Sequence, residues 1–221
     1  RDPRRIVFAD ADNAKILKAA QIVIDEGIGY PILLGDETKI RRIAAENGID
    51  IEGLPILDPR SDSMEDQRNK YGELFFKKRQ RKGFNWYESR KVMKDRNYFG
   101  CMMVETGDAD AMISGLSKNY PSTIRPAIQC IGMEEGTKRI AGMYLMLTKR
   151  GPLFLADTTV NFHPTAEELA EITLLVAKEV RHFNLQPRIA MLSYSNFGSS
   201  NSPEAELVAK ARAIVKERMP S

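Results

Sequence analysis

Arg5-Ile6-Val7-Phe8-Ala9, then a helical run from Asn13 to Glu26, then Tyr30-Pro31-Ile32-Leu33-Leu34 is the stretch that decides the fold. Short apolar runs of this kind read as buried strands. The segment between them carries Ile16, Leu17, Ala20, Val23 and Ile24 on one stripe, with a cap at Asp12 or Asn13 and Gly27 as the stop. Working outward, Asp36 caps a second helix that ends at Asn47-Gly48, and Leu54–Leu57 reads as a third strand. A β-α-β-α-β order implies a parallel sheet with right-handed crossovers, so the fold class is α/β.

The stretch from Met64 to Arg96 reads as helical and strongly basic, with Lys77, Lys78, Arg79, Arg81, Lys82, Arg90, Lys91, Lys94 and Arg96. A solvated amphipathic face explains it more simply than a polyanion-binding surface, and Phe75, Phe76, Phe84, Trp86 and Tyr87 fit a core stripe better than a base-stacking platform. Tyr98–Val104 and Ala111–Ser114 read as strands, with Gly107-Asp108-Ala109-Asp110 as the turn between them and a helix following around Ile124–Ile131. Arg139–Leu147 and Leu153–Ala156 read as a hairpin turning at Lys149-Arg150-Gly151-Pro152, which makes the sheet there mixed. The domain organisation expected is 1–150 as a first α/β domain and 151–221 as the start of a second. In the latter, Thr165-x-x-Glu168 is a capping box, Arg188–Leu192 a strand, and Ser202-Pro203 the cap and first position of a last helix.

The turn Ser193-Tyr194-Ser195-Asn196-Phe197-Gly198-Ser199-Ser200-Asn201-Ser202 combines hydroxyls, backbone N–H groups and a helix N-terminus. Those are the ingredients of an anion cradle, and also those of an ordinary polar strand-to-helix loop with a serine cap. Arg125-Pro126 follows the Ser114-Gly115-Leu116-Ser117 loop, and an arginine near a helix start is well placed for an anion. Gly27-Ile28-Gly29 lacks a third glycine and lies between helix and strand, the wrong setting for a dinucleotide fingerprint. Composition narrows the classes further. The 221 residues are 43% apolar with a net charge of +3 drawn from many charges of both signs, which does not mark nucleic acid as a partner. Cys101 and Cys130 read as buried, reduced thiols, His163 and His182 lack partners at metal-ligand spacing, and no apolar run is long enough to cross a bilayer. The expectation is a cytoplasmic protein with no metal of its own. A start at Arg1 and an end just after a helix fit a piece cut at both ends from a longer polypeptide.

Several ordered segments together resemble one family over nearly the whole chain, the phosphate acetyl/butyryltransferases or phosphotransacetylases. They are Arg5-Ile6-Val7-Phe8 with Ile32-Leu33-Leu34-Gly35, Tyr98-Phe99-Gly100 with Gly107-Asp108-Ala109-Asp110, and Arg125-Pro126-Ala127-Ile128-Gln129. Ala156-Asp157-Thr158-Thr159-Val160-Asn161 with Pro164-Thr165-Ala166-Glu167, and Ser193-Tyr194-Ser195 with Gly198-Ser199, complete the set. The resemblance implies a two-domain parallel/mixed-sheet fold of phosphotransacetylase and isocitrate-dehydrogenase-like architecture, with the cleft between domains. It implies that Arg79 and Arg125 contact CoA and phosphate and that Ser193, Ser195, Gly198 and Ser199 line the acyl-phosphate end. Two departures stand out. The family's Pro-Glu-Gly is here Ala9-Asp10-Ala11, and the Thr-Lys of its serine loop is here Asn196-Phe197. The latter version is similar to the phosphotransacetylase-like C-terminal domain of bacterial NADP-dependent malic enzymes.

That resemblance implies a regulatory domain that binds acetyl-CoA or a related acyl-CoA without turnover. It is covalently linked to an oxidoreductase domain that would hold NADP and a divalent metal and convert malate to pyruvate. No catalytic residue is assigned within these 221 residues. The alternatives are an active transferase moving an acyl group between acyl phosphate and CoA, and an oligomerisation scaffold. Under each the chain is expected to form at least a dimer.

Overall fold

The computed structural model describes residues 3–196 and 198–220. The chain forms two compact units, residues 1–132 and 133–221. The sequence places the change near residue 150. In the structure the hairpin straddles that point and the segment leading into it already belongs to the second unit, with Lys138, Ile140 and Gly142 tied to partners further along it. The Lys138 amide donates to Glu171, the Asn161 side chain donates to the Ile140 carbonyl, and Gly142 packs against Thr159.

In the first unit the order is β1 (Arg4–Phe8), α1 (Ala14–Asp25), β2 (Gly29–Leu34), α2 (Glu37–Glu46), β3 (Ile56–Leu57), α3 (Glu65–Arg79) and α4 (Trp86–Val92). Then come α5 (Arg96–Glu105), β4 (Ala111–Ile113) and α6 (Tyr120–Cys130). The four strands run parallel in the order β3-β2-β1-β4. Alternating side chains feed two cores, as a pleat of period two requires. Val7, Ile32 and Leu34 pack with Tyr71, Phe75, Phe99, Met102 and Cys130 of α3, α5 and α6. Phe8 and Leu33 face the other way, onto Leu17, Ala20, Ile40 and Ala44 of α1 and α2. Both faces are therefore covered, which is what a parallel sheet needs.

Several expectations are corrected by the structure. Tyr98–Val104 lies within helix α5 and is not a strand. Asp95 caps this helix, accepting from the amides of Asn97 and Tyr98, and Asn97, Phe99, Gly100, Cys101, Met102 and Met103 are all buried. A helix buried on most sides has the same continuous apolar sequence as a buried strand. Gly100 lets it approach the sheet: a Cβ there would stand 2.6 Å from Met112 Sδ and 3.2 Å from Val7 Cγ1. The basic stretch is two helices, α3 and α4, broken at Gly83, whose φ of 92° only glycine adopts readily. Of its aromatics Phe75 and Phe84 join the core, their ring centroids 4.9 Å apart, whereas Trp86 meets Phe76 at 5.6 Å but stands exposed with Tyr87 on α4, so the expected core stripe stops short of those two.

The second unit contains β5 (Met143–Thr148), β6 (Gly151–Ala156), α7 (Ala166–His182) and α8 (Pro203–Arg218). The hairpin is present, but β5 and β6 form their own two-stranded antiparallel sheet and leave the four-stranded sheet wholly parallel, where a mixed sheet was expected. Helices α7 and α8 pack through Ala166, Ala170 and Ala211 with Leu169, Leu207, Ile214 and Val215. The Thr165–Glu168 capping box and the Ser202 cap with Pro203 at the helix start both form. Arg188–Leu192 is not a strand: a strand needs a neighbour for its backbone groups, and no described residue pairs with this segment. Ile189 and Leu192 stand 44% and 82% exposed in consequence.

Candidate functional site

The strand order places a topological switch between β1 and β4, since the chain leaves β1 towards β2 and β3 and returns on the other side to β4. A crevice outside the carboxyl ends of the strands is expected at such a point. A cleft of about 500 Å³ lies there, lined by Asp95, Tyr98, Ser117, Lys118, Asn119, Ser122, Arg125 and Pro126. Its floor is the β4–α6 loop. Asn119 caps α6, its side chain accepting from the Ser122 amide at 3.0 Å, and Pro121 sits in the first turn. This opens the helix toward the cleft and sets Arg125 on its second turn, exposed. Lys118 reaches the other wall, pairing with Asp95 at 2.6 Å.

Tyr98 and Arg125 line this cleft, and Arg79 is not among its lining residues. Burial pushes the Tyr98 phenol above the ordinary value, reinforced by Cys130 and Asp95 and opposed by the charges of Arg125 and Arg79. Both guanidiniums thus lie within electrostatic reach of one ring, whose hydroxyl meets Gln129 Oε1 at 2.5 Å. Arg79 ends α3, and its Nε is buried with no hydrogen-bond partner. An orphaned donor of this kind is costly in a folded protein and calls for an acceptor.

Behind the cleft stands Asp10, 2% exposed, in the loop after β1. Its carboxylate accepts from the Gly115 amide at 3.0 Å, the Leu116 amide at 3.1 Å and the Ser117 hydroxyl. Burial pushes this carboxyl up, but the bonds from Ser117, Gly115 and Leu116 and the charge of Arg96 outweigh it and leave it below its usual value. Asp12, two residues on, pairs with Arg96 and Lys39, each at 2.8 Å. Burial again opposes ionisation there, and the two cations win, lowering the carboxyl from 3.8 to about 2. A carboxylate depressed in the folded state stabilises the fold above its unfolded pKa and loses that contribution as pH falls through the folded one. Urea midpoints are therefore expected to be flat above pH 5 and to fall between pH 3.8 and about 2, with Asp12→Asn flattening part of that fall. A midpoint independent of pH in that window would remove the ion pairs from the account.

The serine loop lies in the second unit. Ser193, Ser195 and Gly198 line a cavity of about 460 Å³ with Thr173, Met191, Arg212 and Lys216, and Ser199 is not among its lining residues. Its hydroxyls serve the loop itself. Ser193 Oγ accepts from the Ser195 amide at 3.2 Å, Ser195 Oγ from the Ser200 amide at 3.1 Å, and Ser199 Oγ from the Asn196 amide at 3.2 Å. Phe197, the departure noted in the sequence, lies outside the described residues. Arg79 and Arg125 on one hand and the serines on the other belong to different units.

Sequence reasoning misses Asp10, Asp95, Tyr98, Lys118, Arg212 and Lys216 as site residues. With Tyr98 assigned to a strand, nothing places it beside Arg125. Asp10 and the β4–α6 loop could have been found by asking which loops leave the carboxyl ends of the two strands flanking the switch. Asp108 and Asp110 are structural: Asp108 accepts from Tyr71 at 2.6 Å and Asp110 pairs with Arg5 at 3.0 Å. Cys101 and Cys130 are free and buried, and burial pushes the Cys101 thiol up to about 12, so neither is a ready nucleophile. Among the described residues no group of three or more His, Cys, Asp or Glu could hold a metal ion, and no helix is long and apolar enough to cross a membrane.

Fold and cleft define an α/β protein whose first unit offers a cationic crevice at the carboxyl end of a parallel sheet. The chain belongs to the phosphate acetyl/butaryl transferase family, whose profile matches residues 1–221. It is 36% identical over its whole length to a phosphate acetyltransferase of Nitratidesulfovibrio vulgaris, covering 31% of that protein. It is 33% identical over 99% of its length to an NADP-dependent malic enzyme of Escherichia coli, covering 29% of that one. A phosphotransacetylase structure from Staphylococcus aureus superposes with a TM-score of 0.85 at 28% identity, over 99% of this chain and 65% of that one. The chain thus spans about a third of the length of these two curated relatives.

Proposed function

We propose that this chain is a phosphotransacetylase-type domain of an NADP-dependent malic enzyme and that it binds acetyl-CoA or a related acyl-CoA as a regulatory ligand. The observation that carries the reading is the serine loop. Where the family resemblance puts Thr-Lys, this chain has Asn196-Phe197. Acyl transfer to phosphate needs positive charge beside the developing anion, and neither an amide nor a phenyl ring supplies it. The described hydroxyls of that loop, meanwhile, accept bonds from the loop's own amides. Arg79, Arg125 and Lys118 remain to bind the phosphates of a CoA, so recognition outlasts catalysis. NADP and a divalent metal belong under this reading to a linked oxidoreductase domain. The residues here do not fit a nicotinamide cofactor, because Gly27-Ile28-Gly29 joins α1 to β2 and opens no helix.

One observation favours the second reading, an active transferase. Arg212 and Lys216 of α8 line the same cavity as Ser193 and Ser195 and could replace the missing lysine. In that reaction the CoA thiolate attacks the acyl carbon of acetyl phosphate, the carbon–oxygen bond breaks, and inorganic phosphate leaves with the thiol proton.

The deciding assay mixes the intact polypeptide with acetyl phosphate and CoA and follows acetyl-CoA. No turnover is expected, while acetyl-CoA at about 100 times its Kd raises the stability by about 2.7 kcal/mol. Robust turnover that disappears in Ser195→Ala would overturn the regulatory reading in favour of the transferase. Absence of both turnover and any thermal shift would leave a scaffold role.

A further inference from the structure

The β4–α6 loop has the geometry of an anion nest, with successive amides of Gly115 and Leu116 and the Ser117 hydroxyl converging on one point. Loops of this kind commonly receive a ligand's phosphate. Here the point is already occupied by the protein's own carboxylate, from Asp10 at 2% exposure. A ligand phosphate cannot enter without displacing a buried charge that keeps three donors satisfied.

We propose that Asp10 is a positioning residue, an internal anion that fills the switch-point nest and thereby fixes the loop that carries Lys118, Asn119 and the first turn of α6 into the cleft. The proposal rests on the reading of that cleft as the CoA phosphate site. It follows that the ligand is read by the Arg125 and Lys118 side chains at the rim and not by the loop amides. The rest of the loop is held in the same sense. Lys118 is drawn to Asp95, and buried Asn97 accepts from the Ser114 hydroxyl at 2.8 Å while donating to the Ser122 carbonyl at 3.1 Å. These ties remain when Asp10 is removed, so the fold is expected to survive its loss while the loop loosens between them.

Removing the carboxylate leaves a vacant nest sized for a small carboxylate, and formate supplies one. In Asp10→Ala, amide exchange at Gly115 and Leu116, followed by NMR, is expected to accelerate, and CoA affinity, followed by calorimetry, to fall about tenfold through misplacement of the rim. Added formate should slow the exchange and restore affinity, whereas chloride at equal ionic strength should do neither. A rim weakened only by general destabilisation of the fold would not respond to formate. Unchanged exchange, unchanged affinity or failure of formate to restore either would overturn the assignment. If Asp10→Ala does not fold, Asp10→Asn carries the same test, with faster exchange and weaker CoA binding expected and an unchanged affinity counting against it. If the parent chain binds no CoA, the ligand reading fails, and the exchange and formate measurements still decide the clamp by themselves.

Discussion

Phe99→Ala is expected to destabilise the first unit by about 3–5 kcal/mol. Phe99 is 1% exposed in the middle of α5, at the centre of the core that joins α3, α5 and α6 to the sheet. Its ring meets Tyr71 edge-on at 5.0 Å between centroids. Truncation therefore removes the buried apolar surface and the ring contact together, and leaves a cavity that the neighbours fill only in part. Relaxation is limited on the sheet side, because Gly100 already presses α5 against Met112 and Val7. Urea unfolding followed by circular dichroism measures the loss. The comparison variant is Tyr87→Ala: its side chain is 72% exposed, and a change within about 0.5 kcal/mol is expected. Equal effects at the two positions would mean that α5 is not packed as described.

The same residue shows where sequence alone stops. The β-α-β-α-β opening is legible because each of its signals is local: apolar runs of strand length, striped helices, and the Asn13, Asp36, Gly27 and Gly48 punctuation. Helix α5 is not. Tyr98-Phe99-Gly100-Cys101-Met102-Met103-Val104 is apolar throughout, and only the surroundings decide that a run of this kind is a helix buried on most sides. Arg188–Leu192 fails in the opposite sense, since strand-like residues make no strand without a partner for their backbone.

The site divides along the same line. Arg79 and Arg125 follow from the family resemblance, but nothing local says that charges on helices some forty-five residues apart in the chain both oppose the upward shift of the Tyr98 phenol. Asp10 stands out in the sequence only as a departure from a motif. Its role is a bond across 105 positions of sequence, beyond any pattern of spacing.

Arg125→Ala is expected to weaken CoA binding about 10- to 150-fold, the equivalent of one charge-assisted hydrogen bond of about 1.5–3 kcal/mol. The size follows from where the side chain stands. Arg125 is exposed at the rim of the cleft, and its guanidinium makes no hydrogen bond or ion pair among the described residues, so its donors are free for a ligand. Lys118 is engaged with Asp95 and must share its charge, which leaves Arg125 the stronger of the two. For the same reason the substitution should leave the unfolding free energy within about 0.5 kcal/mol of the parent chain, which separates a binding loss from a folding loss. Arg125→Lys keeps the charge and gives up the planar fork, so its affinity should fall between the two. Raising the salt should narrow the gap between parent and Arg125→Ala, because an exposed charge is screened over a Debye length of about 10 Å at 0.1 M. Equal CoA affinity in Arg125→Ala and the parent chain would take Arg125 out of the site. The two guanidiniums would then have to be weighed again in favour of Arg79, whose buried Nε still lacks an acceptor.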